Sequence, residues 1–238
     1  MSNRISLSNR LSKIASFVEE GDIVADIGAD HGYLSMYLAQ KYNHKGYATE
    51  YGKGPFYKLI DNVEENNLQN LVECYQADGL EGLREDVNTL IIAGMGGRTI
   101  KDILCRKPKD LVNVNKIIVE PQSEAFLVRD SLMERGFKIV HEEYLLERGK
   151  AYPLIVAIKG AEENSYEDFE LEFGRISLKN KDKILFDYLN RTKNLLSKVE
   201  ENGQLNPKSK VELELCLRHL SNIDVRKSWW KSGFFSIS

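Results

Sequence analysis

Two rhythms of apolar residues run along this chain. Leu7, Leu11, Ile14 and Val18 recur at helical spacing, with Ser6 as a cap and Gly21 as a stop, and predict an amphipathic first helix. Short apolar runs then alternate with helical stretches. Ile23–Ile27, Gly46–Thr49, Leu71–Gln76, Leu90–Ala93 and Ile117–Glu120 read as strands. Tyr33–Tyr42, Pro55–Asn66, Arg98–Arg106 and Glu124–Arg135 read as the helices among them. This order predicts an α/β fold, a mostly parallel sheet covered on both faces. Lys138–Leu145 and Leu154–Ile158 are two further strand-like runs, expected as an antiparallel edge.

The pattern changes near residue 160. All but three of the 17 glycines precede that point. Beyond it, Ile184, Tyr188, Thr192, Leu195 and Val199 form one helical stripe, with Leu185, Leu189 and Leu196 beside it. Asn202-Gly203 breaks that helix, and Asn206-Pro207 opens a second one expected to reach about Trp230. Leu213, Cys216, Leu217, Leu220 and Ile223 line its apolar face. The expected division is therefore a sheet domain over 1–160 and a helical hairpin over 161–238. The aromatic tail (Trp229, Trp230, Phe234, Phe235) is assigned no role.

Charge and cysteine content narrow the classes. The net charge of -3 excludes a globally basic nucleic-acid binder but allows a local basic patch. The three cysteines, Cys74, Cys105 and Cys216, stand far apart without a CxxC pair, so neither a disulfide framework nor a metal site is expected. No apolar run approaches the ~20 residues that span a bilayer, and a soluble cytoplasmic protein without a membrane partner is expected. The oligomeric state is left open, with a monomer as the default.

The chemistry concentrates where Val24-Ala25-Asp26-Ile27-Gly28-Ala29-Asp30-His31-Gly32-Tyr33 carries the first strand into a helix. Gly28 and Gly32 let a ligand approach the backbone at the carboxyl end of the strand. The spacing differs from the G-x-G-x-x-G of dinucleotide sites, and Asp26 and Asp30 would repel a pyrophosphate. A cation suits them better, and S-adenosylmethionine carries an ammonium and a sulfonium. The competing reading is an ordinary strand-turn-helix. Glu50 ends the second strand, where a carboxylate binds ribose hydroxyls. Asp78-Gly79 ends the third, where one can accept from an adenine amine. Each alone is more often a solvated strand end, and the three acids together at successive strand ends carry the cofactor reading. Gly94-Met95-Gly96-Gly97 ends the fourth and opens a backbone wall where cofactor and substrate would meet.

DIGADHGYL, ATEYGKGP, IIAGMGG, EPQ before a helix, GFKIVHEEYLLERGKAYPLIVA, LEFG and the hairpin follow one another in order. In this the chain resembles the bacterial tRNA (adenine(22)-N1)-methyltransferases, the TrmK family, over nearly its whole length. It departs from the family's frequent Ser-Asp-His-x-Tyr-Leu-Pro at Ala29–Ser35, and from Gln-Pro-Asn at Glu120-Pro121-Gln122.

The resemblance implies a Rossmann-like S-adenosylmethionine-dependent methyltransferase acting on N1 of an adenine in tRNA, with a helical appendage. It implies cofactor contacts from Asp26, Gly28, Ala29, Asp30, Gly32, Tyr33, Glu50, Asp78, Gly79, Gly94, Met95 and Gly96. His31, in the loop over the methyl donor, is the first catalytic candidate. Gln122 after the fifth strand, Asn62 on the second helix of the sheet and Tyr152 join it. Phosphate contacts are expected from Arg4, Arg10 and Lys13 and from Lys179, Lys181, Lys183, Arg191, Lys193 and Lys198. Two other classes share these features: a methyltransferase of a small molecule or protein, and a non-catalytic RNA-binding module. An NAD-linked oxidoreductase fits the glycine spacing least.

Overall fold

The computed structural model describes residues 4–106, 111–203, 206, 209–211 and 213–217. Five parallel strands form the body of the sheet: β1 (Val24–Ile27), β2 (Gly46–Glu50), β3 (Val72–Gln76), β4 (Thr89–Met95) and β5 (Lys116–Pro121). They are joined by β6 (Phe137–Glu147) and β7 (Lys150–Lys159) in the order β3-β2-β1-β4-β5-β7-β6. The edge pair is antiparallel, as its sequence suggests, and β7 lies against β5 with Val119 opposite Ile155. Arg148 and Gly149 turn the chain between them with φ of 50° and 79°. Positive φ at both positions matches the twist that a two-residue hairpin needs.

Helices α1 (Asn9–Ala15), α2 (Tyr33–Tyr42), α3 (Lys53–Glu65), α4 (Gly97–Arg106) and α5 (Ala125–Glu134) cover the sheet. Ser8, not Ser6, caps α1, its hydroxyl accepting from the Leu11 N–H at 3.3 Å. Val24, Ile91, Ile118 and Val156 meet Ile14, Val18, Leu34 and Leu38 in one layer of the core. Ile92, Val119 and Ile155 meet Ile100, Leu104, Val128 and Leu132 in another. Runs buried on both sides explain why the central strands are continuously apolar rather than alternating.

After the sheet come α6 (Asp168–Phe173), α7 (Arg175–Lys179) and α8 (Lys183–Glu201). The two short helices are not signalled by the sequence pattern, because six and five residues are too few to show a period. Leu185 and Leu189 are the buried residues of α8, with Ile184 and Tyr188 packed beside them, while Leu195 farther along is 64% exposed. The helical run resumes over 209–211 and 213–217, and Cys216 joins Tyr144, Phe173, Leu185 and Leu189 in a separate cluster. Leu220, Ile223 and the aromatic tail lie outside the described residues.

Candidate active site

Parallel strands place their carboxyl ends on one edge, and the predicted site residues gather there. Gly28 and Ala29 both donate their N–H to the Thr49 carbonyl, at 3.0 and 2.9 Å, which closes the β1 loop onto the end of β2. Gly28 and Gly32 have φ of 71° and 72°. A Cβ on Gly28 would stand 2.1 Å from the Met95 Cε, and one on Gly32 2.4 Å from Leu59 Cδ1. Glycine is therefore demanded at both positions by conformation and by space.

Within this loop Asp26 is buried, and the Ser35 hydroxyl donates to its Oδ2 at 2.8 Å. Burial pushes the Asp26 carboxyl up to about 6, opposed by Ser35 and reinforced by the charge of Glu50. Among the described residues no lysine or arginine makes an ion pair with it. An enclosed acid without a cation fits a cationic ligand, and the ammonium of S-adenosylmethionine meets that need. Glu50 accepts the Asp30 N–H at 2.6 Å, so the carboxylate at the end of β2 holds the β1 loop. Asp78 pairs with Arg106 at 2.5 Å. Gly79 sits beside it with φ of 65°.

The fourth and fifth strand ends are tied together by main-chain bonds. The Gln122 N–H donates to the Met95 carbonyl at 2.8 Å, and the Gly97 N–H to the Ser123 carbonyl at 2.9 Å. The ladder between β4 and β5 slips between Ala93 and Met95, leaving a bulge at Gly94 with φ of 80°. Such a bulge frees one N–H from the ladder. Here the Glu120 side chain accepts that Gly94 N–H at 3.0 Å.

The catalytic candidates take different places. His31 is exposed over the β1 loop, 5.7 Å from the Tyr33 ring between centroids and 3.8 Å from the Asp30 carboxylate. Asn62 donates to the His31 backbone carbonyl at 2.9 Å and so braces that loop. Gln122 has an exposed side chain beside Gly94 and Met95. Tyr152, near the start of antiparallel β7, lies at the same edge beneath the Arg10 guanidinium, 5.9 Å from its ring centre.

Sequence reading misses three members of this edge. Ser35 holds Asp26. Glu120 and Glu147 hold Arg10, at 2.5 and 3.0 Å. Arg10 and Lys13, expected as phosphate contacts, are instead paired in the fold, Lys13 with Glu143 at 3.0 Å. The only signal for this was a carboxylate in Glu120-Pro121-Gln122 where an amide is frequent.

A model of the methyltransferase-domain family matches residues 7–155. The Bacillus subtilis tRNA (adenine(22)-N(1))-methyltransferase is 32% identical over 176 residues, covering 73% of this chain and 74% of that protein. A Streptococcus pneumoniae structure in complex with S-adenosyl-L-methionine, described as a candidate tRNA (m1A22) methyltransferase, is 30% identical with a TM-score of 0.82. The alignment covers 90% of this chain and 100% of that one. The TrmK of M. capricolum with S-adenosyl-homocysteine is 28% identical with a TM-score of 0.77, over 92% and 98% of the two chains. With a glycine-bearing strand edge, a buried acid within it and these relatives along most of its length, the chain belongs to the methyltransferase-domain proteins and, among them, to the TrmK family of tRNA (adenine(22)-N1)-methyltransferases.

Proposed function

We propose that this chain transfers a methyl group from S-adenosylmethionine to N1 of an adenine in tRNA, at position 22. The observation that carries the reading is Asp26, an enclosed carboxylate without a cationic partner among the described residues, at the strand edge where the loops of β1, β2 and β4 converge. When bound, the cofactor supplies an electrophilic methyl on sulfonium, whose loss to a lone pair leaves a neutral thioether. Little acid–base help is then required of the protein, and alignment supplies most of the acceleration.

Asp26 and Glu50 bind and orient the cofactor. The bonded loops of Gly94–Gly97 and Gln122–Ser123 give a fixed floor, and Gln122 and Tyr152 face the acceptor from it. His31 lies over the donor side. Adenine N1 sits on the Watson–Crick edge, so the base enters unpaired or flipped out.

A tRNA exceeds one strand edge, and the exposed Lys179, Lys181, Lys183, Arg191 and Lys198 of α7, α8 and their connection are its phosphate contacts. The helices after residue 160 act as the tRNA-holding unit, and the protein works in the cytoplasm.

Incubation with labelled S-adenosylmethionine and unmodified tRNA, followed by nucleoside mass spectrometry, tests the reading. N1-methyladenosine at position 22 is expected. Label in protein or small molecules, with none in tRNA, would refute it.

A further inference from the structure

Five elements meet at Arg10. It rises from α1, its Nη1 bonds Glu120 Oε2 at 2.5 Å, and its Nε bonds Glu147 Oε2 at 3.0 Å. The Tyr152 ring of β7 lies beneath it. Through the shared oxygen of Glu120 the brace extends to the Gly94 N–H in the bulge of β4. The Glu120 side chain is fully enclosed and that of Arg10 is only 18% exposed.

Two features separate this cluster from an ordinary ion pair. The acceptor of the bulge N–H is a side chain, so the position of Gly94 beside Met95 and Gly96 depends on Glu120 rather than on the sheet ladder. The other oxygen, Glu120 Oε1, is buried with no partner among the described residues. An enclosed acceptor left open is an arrangement that stability alone does not favour.

We propose that Arg10 and Glu120 are positioning residues for methyl transfer, fixing the Gly94 backbone on one side of the acceptor and the Tyr152 ring on the other. Their proposed part is to orient the backbone and ring beside the reacting groups. The inference rests on the reading of the site as a tRNA adenine methyltransferase.

The test compares Glu120→Ala, Glu120→Gln, Arg10→Ala and Arg10→Lys in single-turnover methylation of tRNA, with cofactor calorimetry and thermal melting. Misplacement of reacting groups costs on the order of 10- to 100-fold in rate. That loss is expected for both alanine variants, with a smaller change in cofactor affinity than in rate. Glu120→Gln keeps an oxygen for Gly94 and Arg10 and should recover most of the lost rate. Alanine variants that melt earlier yet turn over at full rate per folded molecule would overturn the proposal. So would a glutamine variant as slow as alanine.

If Glu120→Ala does not fold, Arg10→Lys decides. Its single ammonium cannot reproduce the guanidinium fork that bridges two carboxylates. A full rate in that variant also overturns the proposal. Wild-type protein that forms no N1-methyladenosine would instead sink the reading of the site, before any variant is compared.

Discussion

Ser35 donates its hydroxyl to Asp26 across 2.8 Å, with both side chains buried. The bond spans from the end of β1 to the first turn of α2, so one serine holds the acid at the base of the cofactor loop. It is not strong enough to offset desolvation, and Asp26 titrates at about 6 rather than in the usual carboxylate range.

Stability should therefore depend on pH through this group. The folded carboxyl holds its proton more tightly than the unfolded one, whose pKa is ~3.9. Its contribution is full below about pH 4 and is lost as pH rises through about 6. For a difference of about two units the loss is ~3 kcal/mol. Asp26→Asn should melt at a higher temperature than wild type at pH 8, and the gap should close near pH 4. Parallel melting curves across that range would contradict the assignment.

A cationic ligand acts in the opposite direction. The ammonium favours ionised Asp26, so cofactor binding must displace a proton below about pH 6. Affinity for S-adenosylmethionine should fall roughly tenfold between pH 7 and pH 5 in wild type. In Asp26→Asn it should be weak and flat. Calorimetry in buffers of differing ionisation enthalpy would count the proton, and a count of zero at pH 5 removes Asp26 from the ammonium site.

Gly97 should tolerate no side chain. A Cβ there would lie 2.3 Å from the Glu124 carbonyl oxygen and 2.5 Å from that of Ser123. Both are backbone atoms in the α5 entry loop, which cannot move aside as a flexible side chain could. Gly97→Ala should lower the melting temperature by several degrees, as ~1–3 kcal/mol of overpacking does. It should also depress methylation by separating the two strand ends. A variant with wild-type melting and rate would show that the loops are not tied as described.

The helices after the sheet are fastened by a buried ion pair. Arg129 on α5 meets Glu142 on β6 at 2.6 Å, and both side chains are enclosed. Arg129 also donates to the Leu171 and Glu172 carbonyls, at 2.6 and 2.9 Å, and Glu142 accepts the Ile176 N–H at 2.9 Å. A chain ending after Gly160 would lose all three backbone partners. One ending after Asp182 would keep them. The shorter form should unfold or aggregate, and the longer should fold and bind S-adenosylmethionine. Glu142→Ala in the full chain should cost ~3–5 kcal/mol, the range for stranding a buried charge. Equal stability of the two truncations would refute the fastening.

Much of this was legible in the sequence, for identifiable reasons. The central strands are fully buried, so each appears as an apolar run, and the alternation with helices makes them parallel; their order, with β1 between β2 and β4, is read only from the structure. Gly28 and Gly32 mark the loop where a ligand can approach the backbone, and the structure adds that both have a left-handed backbone. What escaped notice depends on partners distant in sequence. Arg10 and Glu120 are 110 positions apart, and nothing local to either indicates the other. A resemblance at one polar position singles out Asn62, and its bond to the His31 carbonyl, 31 positions away, has no local signal. The α8 stripe offered two adjacent faces, and contact with Tyr144 and Phe173 buries Leu185 and Leu189 most deeply, with Ile184 and Tyr188 beside them.

The bonds from Gln122 to Met95 and from Gly97 to Ser123 are made by peptide groups alone. Main-chain donors and acceptors are nearly indifferent to the side chain they carry, proline excepted. The side chain at position 122 can thus be exchanged without loosening the frame that carries it. Under the proposed reading, the acceptor side of the site can be altered there while the spacing of the two strand ends stays fixed by the main chain. An engineer wishing to alter the acceptor would begin at that side chain and leave the adjacent glycine alone.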